Sequence, residues 1–453
     1  MVLAKKLQYL LTNSFSAKLL AVKRVTSNKG KNTPGVDKRI WSTPATKLKA
    51  ALSLKSKDYK ASPLRRTYIE KKGKKKKRPL GIPTMYDRAM QALHAMALDP
   101  ISEAMADKTS FGFRKKRSTH DAAAHICSYL RHKNAAQWIL EGDIKGCFDN
   151  ISHQWMLDNI PMNKRILKQF LKAGFIYQKK LFPTTQGSPQ GGIISPILAN
   201  LTLDGIERKI KEKYWINPKG TIARRNNKHK VNYTRYADDF IVTAKSEEIL
   251  LDIKQTLTEH LKQRGLILSE EKTLITKIDQ GFDFLGWNFR KYNRKLLVKP
   301  SKASRESIVD NIRNTIKRYS AATQEALIWK LNSIITGWAN YHRHVNSKSL
   351  FTTLDHTLFL ALWNWAKRRH PHKSAQWITD RYWKKANGRN WIFTDGKYTL
   401  KLAAYTKVFR HWIIKFDANP YLYTDIPYYT AREEYRKRMK EKLSPTLTES
   451  IGL

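Results

Sequence analysis

Two periods of apolar residues run along this chain, and they sort most of it into helices and strands. Leu7, Leu10, Leu11, Phe15, Leu19 and Val22 fall at helical spacing and predict one amphipathic helix at the N-terminus. Thr26 to Pro44, around Thr33-Pro34-Gly35-Val36-Asp37, reads as a loop, and Leu64 to Ile82 as two strands joined by a basic turn. Met90, Leu93, His94, Ala97 and Leu98 share one face of a helix from Asp87 to Ala106, with His94 a packed residue. A second helix covers Thr119 to His132, and Ser152 is an N-cap for a later one. Between Glu247 and Arg264, Leu250, Ile253, Leu257 and Leu261 point inward, and Gly265 closes that helix. Period-two runs predict strands at Trp138–Ile144, on both sides of Ala237-Asp238-Asp239, and at Leu266–Leu268, Leu274–Ile278 and Phe282–Phe289. Three helices follow, Ser304–Arg318, Gln324–Arg343 and Ser349–Arg369, and then an irregular basic tail.

Charge changes the picture. The 453 residues are 41% hydrophobic, enough for real cores, yet the formal net charge is +49. A field of that size implies a long polyanion, RNA or DNA, as partner. No apolar run approaches the roughly 18 residues of a membrane span. Cys127 and Cys147 are the only cysteines, which excludes a disulfide framework and a four-cysteine zinc site and implies a reducing compartment. No acid precedes Asp37, so an organellar transit helix is the alternative reading of the N-terminus.

Chemistry concentrates in a few stretches. Val231 to Lys245 reads as a hairpin with Asp238 and Asp239 at its tip, where repulsion between carboxylates works against folding. Hard Mg²⁺ reverses that cost, and the strand ending in Asp143 supplies a third carboxylate of the kind a two-metal phosphoryl-transfer site needs. Seven of the eight residues from Lys71 to Arg78 are Lys or Arg, which suits a phosphate clamp as well as a solvated face. In Ser110 to Ser118 aromatics stand among cations, a mixture suited to nucleic acid or to a packed loop. Gln186 to Pro196 carries three glycines before a helix start, permitting close backbone approach to a ligand. Beyond Lys299 tryptophans accumulate at helical spacing as core, while Arg343, Lys348, Lys367, Arg368 and Arg369 line an RNA-facing surface.

The order of these pieces resembles the reverse transcriptase and maturase proteins encoded by group II introns. The likeness rests on Arg78-Pro-Leu-Gly-Ile-Pro83, Phe111 to Ser118, Gly142-Asp-Ile-Lys-Gly-Cys-Phe-Asp149 and Gly187-Ser-Pro-Gln-Gly-Gly192. It continues through Tyr236-Ala-Asp-Asp239, Phe284-Leu-Gly-Trp287, Gly337-Trp-Ala-Asn-Tyr-His342 and Ala418-Asn-Pro-Tyr421. The resemblance implies an α+β right-hand polymerase. Its parts would be an N-terminal helix and basic fingers (1–135), a ferredoxin-like palm (136–298), a three-helix thumb or maturase X domain (299–385) and a small basic DNA-binding tail (386–453). Asp143, Asp238 and Asp239, with the Ile144 carbonyl, would hold two Mg²⁺ ions. Phe148 would exclude a 2′-hydroxyl, and Gln190 and Gly191 would floor the nucleotide pocket. Arg65 or Arg66, with Lys71, would reach the triphosphate. Arg114, Arg117, Arg343, Lys348, Arg368 and Arg369 would contact RNA.

The implied partners are dNTPs, a group II intron RNA and target DNA in a bacterial cytoplasm, with no membrane and the oligomeric state open. The implied function is copying RNA into DNA, assisting splicing and retrohoming. Two rivals are a retron-type or CRISPR-associated reverse transcriptase, and an RNA-binding splicing factor whose polymerase has decayed. The chain stops at Leu453 without further cysteine pairs, so an endonuclease is not expected, and Glu70 stands where the resemblance leads one to expect proline.

Overall fold

A computed structural model describes residues 2–71, 74–386 and 389–441, a mixed α+β protein with two compact units. The first comprises residues 1–122, 136–276 and 414–425; the second 123–135, 277–413 and 426–453.

The first unit opens with α1 (Val2–Asn13), α2 (Phe15–Ser27) and α3 (Pro44–Ser53). The single N-terminal helix predicted from spacing is therefore two. Ser14 is extended, and the break shifts the helical phase. Ala17, Ala21, Val22 and Val25 face the core, while Leu7, Leu10, Phe15 and Leu19 are exposed. Helix α3, capped by Thr43, was not predicted, because its Ala- and Lys-rich sequence carries only a weak apolar stripe.

Next come β1 (Leu64–Lys71), β2 (Lys74–Ile82), α4 (Met85–Met105) and α5 (Thr119–Leu130), the last divided between the units. The β1–β2 hairpin is the predicted one, and Glu70 faces Lys77 across it at 3.9 Å. Its turn, residues 72–73, lies outside the described residues. All five predicted residues of the α4 face are buried. His94 lies against Phe170 and Ser56, and burial lowers it to about 4.

The chain then forms β3 (Trp138–Asp143), α6 (Cys147–Asn150), α7 (His153–Asn159), α8 (Lys164–Leu171), β4 (Phe175–Tyr177), β5 (Lys180–Phe182), α9 (Ser195–Leu203) and α10 (Ile206–Tyr214). Ser152 caps α7 as predicted, its hydroxyl accepting from the Trp155 N–H. Last in the unit are β6 (Asn232–Tyr236), β7 (Asp239–Ala244), α11 (Glu247–Lys262) and β8 (Leu274–Lys277). One sheet has the order β2-β1-β4-β5, the other β6-β7-β3-β8. The three predicted leucines and the isoleucine of α11 are buried, and Gly265 at φ +73° ends the helix, with the Leu266 N–H donating back to the Leu261 carbonyl. Residues 266–268 make only an isolated bridge to Ile144 rather than the predicted strand.

In the second unit β9 (Phe282–Phe284), β10 (Trp287–Tyr292) and β11 (Lys295–Pro300) form an antiparallel sheet. The run predicted as one strand is split at Leu285-Gly286, both at positive φ, and β11 was not predicted. Helices α12 (Lys302–Arg318), α13 (Gln324–His342) and α14 (Lys348–Arg369) match the predicted three to within about two residues, and share a core with Trp365 and Trp383. The tail read as irregular contains α15 (Ala375–Tyr382), β12 (Trp383–Ala386), β13 (Arg389–Phe393) and α16 (Ile426–Glu441). Residues 442–453 lie outside the described residues. Among those described, no helix is long and apolar enough to cross a membrane.

Candidate active site

Strand register assembles the three carboxylates. Tyr236 pairs with Asp239 across β6–β7, leaving Ala237 and Asp238 as a two-residue tip. On its other edge β7 pairs with β3, and there Asp143 stands directly opposite Asp239. The crowding has an electrostatic signature. Burial, and then the neighbouring Asp238 and Asp143, push Asp239 up to about 7, although part of its side chain stays open to solvent. Burial foremost, with Asp143 adding to it, also raises Asp238. Carboxylates crowded on one edge repel one another, and a cation relieves that cost.

One cation is built in. The Ser269 N–H donates to the Asp143 carbonyl at 2.8 Å, which brings the short turn Glu270–Lys272 alongside β3. Lys272 Nζ then pairs with Asp143 Oδ2. Among the described residues no three His, Cys, Asp or Glu side chains close a metal shell by themselves. Two carboxylates and a carbonyl, with the remaining positions left to phosphate oxygens and water, are what Mg²⁺ commonly takes, so Asp143, Asp238 and Ile144 fit that ion. The carbonyl is available: the bridge to Leu268 is closed by the Lys145 and Ser269 N–H groups and leaves Ile144 unspent.

The residues expected to form the nucleotide pocket lie in the same unit. Phe148 is half-buried in α6, with Phe113 edge-on at 6.1 Å. The glycine loop is stitched to it, as the Ser188 N–H donates to the Phe148 carbonyl at 2.6 Å. Gln190 donates from Nε2 to Asp149 at 3.2 Å, and its carbonyl accepts from the Gly81 N–H of β2 at 2.8 Å. Gly191, at φ +109°, lies so close to β2 that a Cβ would stand 2.7 Å from the Gly81 carbonyl oxygen. Two cations of β1 are engaged elsewhere. Arg65 Nε donates to the Pro34 carbonyl at 3.0 Å, and the Arg66 guanidinium stacks 3.8 Å over Phe175. The Lys71 side chain lies outside the described residues. Arg78, absent from the expected set, is exposed and acts electrostatically on Asp238.

Two of the arginines expected to contact RNA have partners within the protein. Arg114 is buried, bidentate to Glu103 at 2.6 and 2.8 Å and bonded to the Asp107 and Ser110 carbonyls. Arg117 is buried beside Glu103 and donates to the Lys108 and Phe416 carbonyls. Both hold the loop in place rather than reaching outward, because Glu103 gives them a partner that composition does not reveal. In the second unit, Arg343 donates to the Lys407 carbonyl at 3.1 and 3.2 Å, Lys348 to that of Ala404, and Arg369 to that of Ala322 at 2.6 Å. Arg368 is exposed. Burial pushes Cys127 up to about 11 and Cys147 up to about 12, so neither thiol is a nucleophile at neutral pH.

Comparison with known proteins places the sequence in a family. Residues 69–289 match the family described as reverse transcriptase (RNA-dependent DNA polymerase), residues 305–383 the group II intron maturase-specific domain, and residues 1–54 the N-terminal domain of reverse transcriptase. Group II intron-encoded protein LtrA of Lactococcus lactis subsp. cremoris is 33% identical over 346 residues, covering 64% of this chain but only 57% of its own length. Protein YkfC of Escherichia coli (strain K12) is 32% identical over 348 residues, 68% of this chain and 87% of that one. A solved apo telomerase from Candida tropicalis, truncated from its C-terminal domain, aligns over 53% of this chain and 55% of that one at 15% identity and a TM-score of 0.40, too distant to add weight. On the sequence matches, the chain belongs to the group II intron-encoded reverse transcriptase and maturase family.

Proposed function

We propose that this protein is an RNA-directed DNA polymerase that also binds a group II intron RNA and assists its splicing. The observation that carries the reading is the register that sets Asp143 opposite Asp239, with Asp238 at the adjoining tip. Two bound Mg²⁺ ions would supply activation of a primer 3′-oxygen and stabilisation of the departing pyrophosphate. Asp143, Asp238 and the Ile144 carbonyl would hold them, and Asp239 would add negative field. Phe148 bars the 2′-hydroxyl of the incoming sugar, Gln190 and Gly191 floor the pocket, and Arg78 reaches the triphosphate. Lys272 balances the charge of Asp143 and gives way when the site fills.

In this reading residues 1–135 supply the N-terminal helices and fingers, 136–298 the palm and 299–385 the thumb and maturase surface, and the basic tail from 386 contacts target DNA during retrohoming. Neutralising many phosphates gives binding that weakens steeply with salt. The test is Asp143→Ala and Asp238→Ala in primer extension and intron-RNA binding, side by side. Both variants should lose DNA synthesis, because the carboxylates act on the reacting atoms. Both should keep RNA affinity and splicing assistance, which rest on distant cations. Extension at the parental rate in either variant would refute the polymerase assignment. Splicing lost in proportion to synthesis would refute separable roles.

A further inference from the structure

Behind the carboxylate tip lies an arginine that the chemistry above leaves unused. Arg235 is on β6, two residues before Ala237, and is fully buried. Its Nη1 donates to the Ala237 carbonyl and to Asn200 Oδ1, each at 3.2 Å, and Nη2 pairs with Asp204 at 2.5 Å. The strand around it is clamped as well. The Arg235 N–H donates to the Thr109 carbonyl at 3.0 Å, and the Phe111 N–H to the Arg235 carbonyl at 2.9 Å.

Asn200 extends the network to the far side of the tip. Its Nδ2 donates to the Gly112 carbonyl at 2.9 Å. Gly112 in turn presses on the tip so closely that a Cβ there would lie 2.3 Å from the Ala237 nitrogen. Ala237 itself has φ +58°, a left-handed conformation that an L-residue keeps only when its surroundings hold it.

We infer that Arg235 is the positioning residue of the metal-binding hairpin: by holding the Ala237 carbonyl it sets the aim of Asp238 and Asp239. The inference rests on the polymerase reading above. Filling the space needs no charge, and burying one is costly unless it is paired. What a guanidinium adds is a rigid fork of donors, able to meet Ala237, Asn200 and Asp204 together. A lysine ammonium at the same depth cannot span them. Groups outside the ligand shell that orient ligands in this way change metal affinity or activity by about 10–100-fold.

The test compares Arg235→Lys and Asn200→Ala with Tyr59→Phe, which removes a buried hydrogen bond of the same unit, from the Tyr59 hydroxyl to Asp87 at 2.7 Å, outside the network that holds the tip. Three readouts are taken: Mn²⁺ binding followed by its paramagnetic relaxation, the Mg²⁺ dependence of primer extension, and thermal unfolding. Arg235→Lys should weaken Mn²⁺ binding and raise the Mg²⁺ needed for half-maximal extension by about 10-fold or more. Asn200→Ala should do so to a smaller degree. Tyr59→Phe should lower stability with wild-type metal dependence. Wild-type metal behaviour in both tip variants, or an equal shift in Tyr59→Phe, would overturn the inference. If Arg235→Lys does not fold, Asn200→Ala decides. Asp238→Ala separates the two levels. An active Asp238→Ala defeats the polymerase reading itself, whereas an inactive one beside tip variants with unshifted metal binding defeats only the role of Arg235.

Discussion

The ring of Phe240 lies against the bare Cα of Gly142, so close that a Cβ there would come within 2.1 Å of it. The two are register partners on β7 and β3, one step from the Asp143–Asp239 pair. Gly142→Ala should therefore destabilise the sheet by about 1–3 kcal/mol, as overpacking does, and abolish DNA synthesis. Pairing it with Phe240→Leu should restore part of the stability, because the clash is with the ring. Thermal unfolding of the two single variants and the double variant checks this; additive losses would place the cost elsewhere.

Phe148 is braced from behind by its own carbonyl, bonded to Ser188, and at its edge by Phe113. Phe148→Ala should admit ribonucleotides, since steric exclusion vanishes with the ring. The ratio of deoxyribonucleotide to ribonucleotide incorporation is the measurement. An unchanged ratio would leave Phe148 a packing residue only.

His94 couples stability to acid. The folded protein holds it neutral down to about 4, whereas the unfolded chain protonates it near 6.5. Between those values the unfolded state binds more protons, so stability falls as pH falls through the window, by up to about 1.4 kcal/mol per unit. His260, lowered by burial to about 3, continues the trend further down. His94→Gln should flatten the acid limb of denaturant midpoints measured from pH 7 to 4. The same slope in the variant would remove His94 from the account.

The cations of the second unit should divide by what they touch. Arg343→Ala frees the Lys407 carbonyl and the Phe409 ring, and should lower stability by about 1 kcal/mol, a modest figure because the site is partly solvated. Arg368→Ala should leave unfolding unchanged and reduce the salt dependence of RNA binding by about one phosphate contact. Unfolding curves and RNA titrations at several salt concentrations read the two effects separately. Reversed outcomes would exchange the roles given to the two arginines.

Local pattern carried a great deal. The β6–β7 hairpin, the α4 and α11 faces, and helices α12, α13 and α14 were legible because burying one face imposes a period on the sequence itself. The carboxylates were legible too, since adjacent like charges on a strand end cost folding energy and so signal another purpose. Side-chain direction was not. Arg65, Arg114, Arg117 and Arg343 look in sequence like cations awaiting a polyanion, yet each spends donors on Glu103 or on a backbone carbonyl brought near by the fold. Lys272 lies 129 positions from Asp143, and Asn200 lies 35 from Arg235. A long flexible cation follows no period, so its partner is fixed only when distant segments pack. The N-terminal leucines show the same limit from the apolar side. One extended residue, Ser14, rotated the face that spacing assigned to the core and left Ala17, Ala21 and Val25 to fill it.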